Sequence, residues 1–409
     1  MRLIYLLLFM APQILLYLYL NERLPDPRYP RRALLVRSLL VGTFAVFNLP
    51  WLFVAHRLLF GTIWGIARIP YTGPWVAWQM LGWVFCGLVV LYLGVKALLW
   101  IVGWIERWHH GRVDPLVAFE LSHAQPMQLS RRQFLARATY AYAGAGAAVS
   151  TYGIWSAYRM PLVTLRTLSL AGLPIALDGL TVLHLSDLHA GVHMGEDKMR
   201  AIVEQANALR PDLIVETGDM IDISPSYIPA YVRTFRDLSA PLGCVTVLGN
   251  HDHYTGVDAV VRGVRDAGHV LVRNGCHVVE RGGATLGLLG IDDPENWRAD
   301  DPQPGYVDLA LRAAPPEAFK ILLAHRPGAW DSAAPRGIPL TLAGHIHGGQ
   351  FYLPVLGWSA GQLITKYVMG LFRRGDSQLY VSRGIGVVGV PIRVFVPPEI
   401  ELFTLRRAG

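Results

Sequence analysis

Long uncharged stretches fill the first 160 residues, and short apolar runs punctuated by Gly, Asp and His fill the rest. Leu3–Leu20 and Ser38–Ala55 are each eighteen residues without a charge, and Trp75–Ile105 carries only Lys96. A fourth run, Thr139–Tyr158, is rich in Ala, Gly and Tyr. Spanning a bilayer takes roughly 17–25 residues at ~1.5 Å per residue, and soluble core helices seldom stay uncharged that long. The pattern predicts transmembrane helices at about 3–20, 38–55 and 75–105 within residues 1–112. A cytoplasmic linker follows at 113–130, and then a signal or anchor helix at 131–160. Residues 161–409 have the punctuation of a globular domain.

Within that domain, Thr181–Leu185, Leu213–Glu216, Cys244–Leu248, Leu286–Gly290, Ile321–Ala324 and Leu340–Ala343 are apolar runs bounded by turn formers. Such runs predict buried strands. Between the first two, Lys198–Leu209 places Met199, Ile202, Val203, Ala206 and Leu209 on one helical face. Strand, helix and strand in succession predict an α/β class.

Composition sharpens this division. Charged residues make up 16% of the chain, against about 25% in soluble domains, and the high apolar content excludes a disordered chain. The net charge of +7 first suggests nucleic acid. Its location argues otherwise, because the arginines cluster beside the uncharged runs. Arg23, Arg28, Arg31, Arg32 and Arg37 follow the first run, and Arg107, Arg112, Arg131, Arg132 and Arg137 follow the third; Arg57 and Arg68 lie between. Basic loops stay cytoplasmic. The expected topology is therefore a multi-pass protein of a bacterial inner (plasma) membrane with an extracytoplasmic C-terminal domain, and no nucleic-acid partner. Ser130-Arg131-Arg132-Gln133-Phe134-Leu135 resembles a twin-arginine export signal, which implies export in the folded state. Cys86, Cys244 and Cys276 include no C-x-x-C pair. Cys244 and Cys276 are expected as separate thiols, a disulfide between them being the alternative.

The chemistry sits where the strands end. Thr181–Ser186 runs into Asp187 and His189, Leu213–Thr217 into Asp219, and Cys244–Leu248 into Asn250, His251 and Asp252. Ile321–Ala324 runs into His325, and Leu340–Ala343 into His345 and His347. Sites in open α/β sheets form beyond the carboxyl ends of strands, so these scattered residues are expected to converge. On extended chain, residues two apart point the same way, which lets Asp187/His189 and His345/His347 each grip one site. Carboxylate, imidazole and amide donors without thiolate suit Mn, Fe or Zn. Seven candidate ligands exceed the three that one catalytic zinc takes from a protein. They suffice for two divalent metal ions about 3.5–4 Å apart. Two such ions, offset by two aspartates and a bridging hydroxide, leave a net positive centre that attracts phosphate oxygens. His184 is expected in the core or behind the ligands, and His193, His253, His269 and His277 in structural roles. Asp222, Asp292 and Asp293 are expected in turns.

Together Asp187-x-His189, Gly218-Asp219, Gly249-Asn250-His251-Asp252, His325 and Gly344-His345-x-His347 resemble the calcineurin-like metallophosphoesterases, over about residues 163–405. Gly344–Pro354 and the membrane-plus-export front end resemble a bacterial membrane-anchored branch. The resemblance implies a two-sheet sandwich flanked by helices. It implies one ion on Asp187, His189 and His347, a second on Asn250, His325 and His345, and Asp219 bridging. His251 would stabilise charge at the scissile phosphate and protonate the leaving oxygen, with Asp252 orienting it. The activity so implied is hydrolysis of a phosphoester by metal-hydroxide attack. Location at a bilayer favours a phosphodiester, phospholipid-like or lipid-linked substrate. Alternatives are a pyrophosphohydrolase of a lipid-linked nucleotide sugar and a non-catalytic, metal-dependent membrane receptor or scaffold.

Overall fold

The structure is a computed structural model that describes residues 131–293 and 303–409, with isolated helical positions at Ile14, Tyr17, Ser38, Val41, Gly42 and Phe44. Apart from those positions, the three expected spans and the 113–130 linker lie outside the described residues. The chain divides into one unit ending at Thr151 and a compact unit of Tyr152–Gly409.

In chain order the described elements begin with α1 (Arg131–Tyr158), β1 (Leu162–Leu170), β2 (Thr181–Leu185), α2 (Glu196–Ala208), β3 (Leu213–Thr217) and α3 (Ile228–Phe235). β4 (Cys244–Val247), α4 (Asn250–Asp266), β5 (Val270–Leu271), β6 (Gly275–Arg281), β7 (Ala284–Gly290) and α5 (Pro304–Ala313) follow. The last strands are β8 (Phe319–Leu323), β9 (Leu340–Ala343), β10 (Tyr352–Leu353), β11 (Trp358–Ser359), β12 (Gly370–Arg374), β13 (Ser377–Val381) and β14 (Glu399–Arg407).

Two six-stranded mixed sheets form, in the orders β1-β14-β2-β3-β4-β5 and β12-β13-β9-β8-β7-β6. β2 to β5 run parallel to one another, as do β7, β8, β9 and β13. Parallel strands are buried on both faces, which is why they appear in sequence as unbroken apolar runs. Val182, Val215, Val247, Leu288, Leu323 and Leu342 fill the space between the sheets. Leu183, Leu185 and Ile214 face α2, α3 and α4 through Ile202, Phe235 and Val264. Leu289, Leu322 and Val381 face α5 and Trp330. The result is the sandwich flanked by helices that the calcineurin-like resemblance implies.

α1 reaches spanning length at 28 residues, yet among the described residues no helix is long and apolar enough to cross a membrane. Its last turns instead belong to the compact unit. Ser156 and Ala157 are buried, Gly153 accepts a backbone hydrogen bond from Arg393 at 2.9 Å, and the Tyr158 hydroxyl meets His193 at 2.7 Å. Cys244 and Cys276 are both free, as separate thiols.

Behind the sheet lies a buried ion pair. Glu216 accepts from Thr246 at 2.6 Å and from His269 Nδ1 at 2.8 Å, while His269 Nε2 donates to the Phe235 carbonyl at 3.0 Å. Both ring nitrogens face acceptors, so the ring carries both protons. Cys244 completes a group with metal-ligand spacing here, but a doubly protonated ring has no lone pair to give an ion. Burial opposes the charge on His269, and Glu216 overrides it and raises the pKa. Burial likewise opposes ionised Glu216, and His269 outweighs it to lower that pKa. The Glu216 contribution to stability is therefore present above its ordinary range and lost as pH falls through the lowered value. The His269 contribution is full below its ordinary value of 6.5 and is lost as pH rises through the raised one. Thermal unfolding from pH 6.5 upward should show Tm falling by roughly 2–4 °C, the effect of ~1 kcal/mol in a domain this size. The His269→Gln variant should show a flat profile; a parallel decline in both proteins would contradict the charged pair.

Candidate metal centre

Five of the seven candidate ligands sit on backbone that few side chains tolerate. Asp187, His189, Asp219, His345 and His347 all have φ between 49° and 74°. Left-handed residues other than Gly are uncommon, and strain of this kind concentrates at functional sites. The neighbouring glycines leave the room that this crowding needs. A Cβ on Gly249 would lie 2.2 Å from Asp219 Oδ1, and one on Gly344 1.9 Å from Ser186 Oγ.

The geometry gathers two sets of donors around one oxygen. His347 Nε2 is 3.1 Å from His189 Nε2 and 3.3 Å from Asp187 Oδ1. His345 Nδ1 is 3.0 Å from His325 Nε2. Asp219 Oδ2 lies between the sets, 3.5 Å from His189 Nε2 and 3.2 Å from His325 Nε2. Asp187/His189/His347 and Asp219/His325/His345 each have mutual spacing that could hold a metal ion. Asn250 is buried, and its Oδ1 has no hydrogen-bond partner. A buried acceptor without a donor is costly unless it faces a cation. Lone pairs converging in this way fit divalent metal.

Backbone and second-tier groups aim these donors. His325 Nδ1 donates to the Thr217 carbonyl at 2.8 Å, which leaves Nε2 toward the site, the usual arrangement for a ligating histidine. The His251 amide holds Asp219 Oδ1 at 2.8 Å, which frees Oδ2. Asp187 Oδ2 accepts from Ser186 Oγ at 2.6 Å, and the His345 amide is shared between Oδ1 at 3.0 Å and Oδ2 at 3.1 Å, which fixes the carboxylate with Oδ1 toward His347. Ser186 in turn accepts from Thr217 at 2.7 Å, and Thr217 from His184 Nε2 at 2.8 Å. His184, with its pKa lowered by burial to about 3, is a neutral anchor behind Asp187.

Asp187, His189, Asp219, His325, His345 and His347 thus come to one place, Asn250 opens α4 next to His251 in sequence, and His251 stands at the edge of the site. Its ring meets His189 edge-on, with centroids 4.7 Å apart. The expected partner of His251 is corrected. Asp252 occupies the first turn of α4, where backbone amides capture its carboxylate: Asp219 at 2.8 Å, Gly249 at 2.9 Å and Ile221 at 3.2 Å. It pins two ligand-bearing loops and does not touch His251. The His251 ring instead donates from Nδ1 to the Asp222 carbonyl at 2.7 Å, with Asp222 Oδ1 at 3.3 Å. Asp222, expected as a turn residue, is thereby part of the site. Burial works against a charged His251, but Asp219 and Asp222 outweigh it and raise the pKa to about 9. Arg393, unremarked in the sequence, is fully buried and reaches His347 Nδ1 at 3.1 Å.

Residues 180–349 match the calcineurin-like phosphoesterase family. The chain is 34% identical over 292 residues to the uncharacterized metallophosphoesterase YkuE of Bacillus subtilis, covering 68% of this chain and 98% of that one. The chain belongs to the calcineurin-like phosphoesterase family. As a family member it is a metal-dependent phosphoester hydrolase, which sets aside the non-catalytic receptor alternative. It is also similar to vertebrate proteins named as transmembrane proteins with a metallophosphoesterase domain. The one from Bos taurus is 28% identical, over 88% of this chain and 79% of that one. The one from Danio rerio is 32% identical, over 64% of this chain and 61% of that one, so the chain spans under two thirds of the zebrafish protein.

Proposed function

We propose that this calcineurin-like phosphoesterase is anchored in a bacterial inner membrane and hydrolyses phosphodiester or phospholipid-like bonds outside the cytoplasm. The uncharged runs, the distribution of arginines and the relatives named as transmembrane proteins support the anchoring. The Ser130–Leu135 motif supports export by the twin-arginine machinery. Asp187, His189 and His347 would hold one divalent ion, and Asn250, His325 and His345 a second, with Asp219 shared. The observation that carries the two-ion reading is the position of Asp219 Oδ2 within 3.5 Å of donors from both sets.

Bound there, Mn, Fe or Zn ions supply Lewis-acid polarisation of phosphoryl oxygens and lower the pKa of water toward ~7. The chain does the rest. His251 is held by Nδ1 to the Asp222 carbonyl, so Nε2 is presented to the substrate. A protonated ring there offsets charge developing on phosphorus and delivers its proton to the leaving oxygen. Asp252 keeps the Asp219 and Gly249 loops in register. Measured on bis-p-nitrophenyl phosphate with Mn²⁺, His251→Gln should lower kcat by about 10²–10⁴-fold, the usual worth of general acid–base catalysis. Metal content should stay at two equivalents. A variant within threefold of the parent would remove His251 from the mechanism.

A further inference from the structure

The segment after the ligand turn at His347 exposes apolar side chains that nothing in the compact unit covers. β10 and β11 form a small antiparallel hairpin, Tyr352 opposite Ser359 and Leu353 opposite Trp358. At and beyond its tip Val355 is 97% exposed, Leu356 73%, Leu363 78% and Ile364 64%. Aliphatic side chains at such exposure, four within ten residues, mark a surface that meets something apolar.

Its place in the fold says what. Ser359 Oγ donates to the Gly348 carbonyl at 2.7 Å, so the hairpin is fastened to the turn that carries His347. Phe351 bridges Val394, and the Tyr352 amide donates to the Val394 carbonyl at 2.9 Å. The next residue, Phe395, is exposed, and its ring packs at a tilt against Tyr152, the first residue of the compact unit, with centroids 5.2 Å apart. Hairpin, Phe395 and the point where the chain enters the unit therefore share one edge, and the residues leading to that point are the long uncharged runs. The charge pattern agrees. No Asp or Glu lies between Asp331 and Asp376, while Lys366, Arg373 and Arg374 do. Asp331 pairs with Lys366 and Arg374, which still leaves the segment positive. Phe351, Tyr352 and Trp358 flank the aliphatic tip, the residue types that settle at a lipid–water boundary.

We propose that the hairpin and the Leu363–Ile364 turn insert into the surface of an anionic phospholipid bilayer, which holds the metal centre against the lipid headgroups. The inference rests on the membrane-anchored reading and extends it from the N-terminal runs to the catalytic unit. Aliphatic tips seat about 5–10 Å into the headgroup and acyl boundary, and nearby basic side chains meet the anionic heads.

The test uses the full chain reconstituted in nanodiscs of phosphatidylethanolamine and phosphatidylglycerol. A fluorescent coumaryl amino acid replaces Val355, Leu363 or, as control, Ile175, and nitroxide-labelled lipid serves as quencher. Ile175 is 75% exposed and sits beside the far end of β14, where Asp178 binds Arg406 and Arg407. Positions 355 and 363 lie in exposed turns, so the label leaves the core untouched. Expected is a loss of roughly half the signal or more at 355 and 363 at insertion depths of this order, with little change at 175. Equal, weak quenching at all three positions, in a chain that co-elutes with the nanodiscs, overturns the docking and leaves the anchoring intact. A chain that does not co-elute overturns the anchoring, and the same three probes with added vesicles of those lipids then decide the docking separately.

Discussion

Asp219→Asn should abolish more activity than any other single change in this chain. The two oxygens of Asp219 have different tasks: Oδ1 accepts the His251 amide at 2.8 Å, and Oδ2 faces both donor sets. An asparagine has one oxygen and one NH₂. Turned one way, it points N–H groups at the cations; turned the other, it sets them against the His251 N–H. Either way a negative charge is lost from between two cations. The backbone cannot move to compensate, because Asp252 clamps the Asp219 amide at 2.8 Å. Lewis-acid stabilisation by bound metal is worth several kcal/mol, so kcat/KM on bis-p-nitrophenyl phosphate should fall by about 10³-fold or more, or ~4 kcal/mol. Metal counting should show fewer than two equivalents retained after desalting. A variant that keeps both equivalents and a tenth of the activity would show that Oδ2 is not shared.

The sequence displayed these ligands because they sit at the ends of strands buried on both faces. β2, β3, β4, β8 and β9 lie within a residue or two of the expected runs for the same reason. Other strands escaped because the pattern there departs from that rule. β1 carries Arg166 among threonines and a serine and is half exposed along an edge. β14 is central to its sheet yet begins with buried Glu399 and Glu401, charges that a sequence reading assigns to the surface. They are tolerated because Arg383 pairs with Glu399 and Ser382 donates to Glu401 at 3.2 Å. Residue type marks a ligand, but which carboxylate orients His251 depends on where a helix starts. Asp252 adjoins His251 in sequence, and at the first turn of α4 its carboxylate turns back onto the amides. Asp222 stands 29 residues away and reaches the ring because the β3 loop folds over it.

Arg393 is the residue least legible in the sequence and the one whose loss should most damage the fold around the metal centre. It lies 46 residues beyond His347, between prolines 391 and 397, with no motif around it. In the structure its guanidinium is fully buried and faces no carboxylate directly. It donates to the carbonyls of Arg383 at 2.8 Å, Gly384 at 3.1 Å, Val396 at 3.2 Å and Gly386, and its Nη2 lies 3.1 Å from His347 Nδ1. A planar fork with five donors matches this arc of acceptors, and lysine, with one point of charge, does not. Arg393→Met keeps most of the volume but leaves the carbonyls of Arg383, Gly386 and Val396 without a donor, while Gly384 keeps the Glu399 amide at 3.2 Å, at about 1–3 kcal/mol for each that water fails to reach. Tm should fall by roughly 10 °C, the effect of ~3–5 kcal/mol in a domain of this size. Arg393→Lys should recover part of that loss. Affinity at the Asp187–His189–His347 set, measured by metal titration well below Tm, should drop about 10–100-fold in both variants, the usual effect of losing support behind the ligands, because the segment that Arg393 holds donates from Ile385 and Gly386 to the Ser186 and Asp187 carbonyls. The second set should change less, because His325 is held separately by the Thr217 carbonyl. A methionine variant with unchanged Tm would mean that the carbonyls find other donors. A lysine variant that binds metal as tightly as the parent would mean that His347 needs no guanidinium to hold its position.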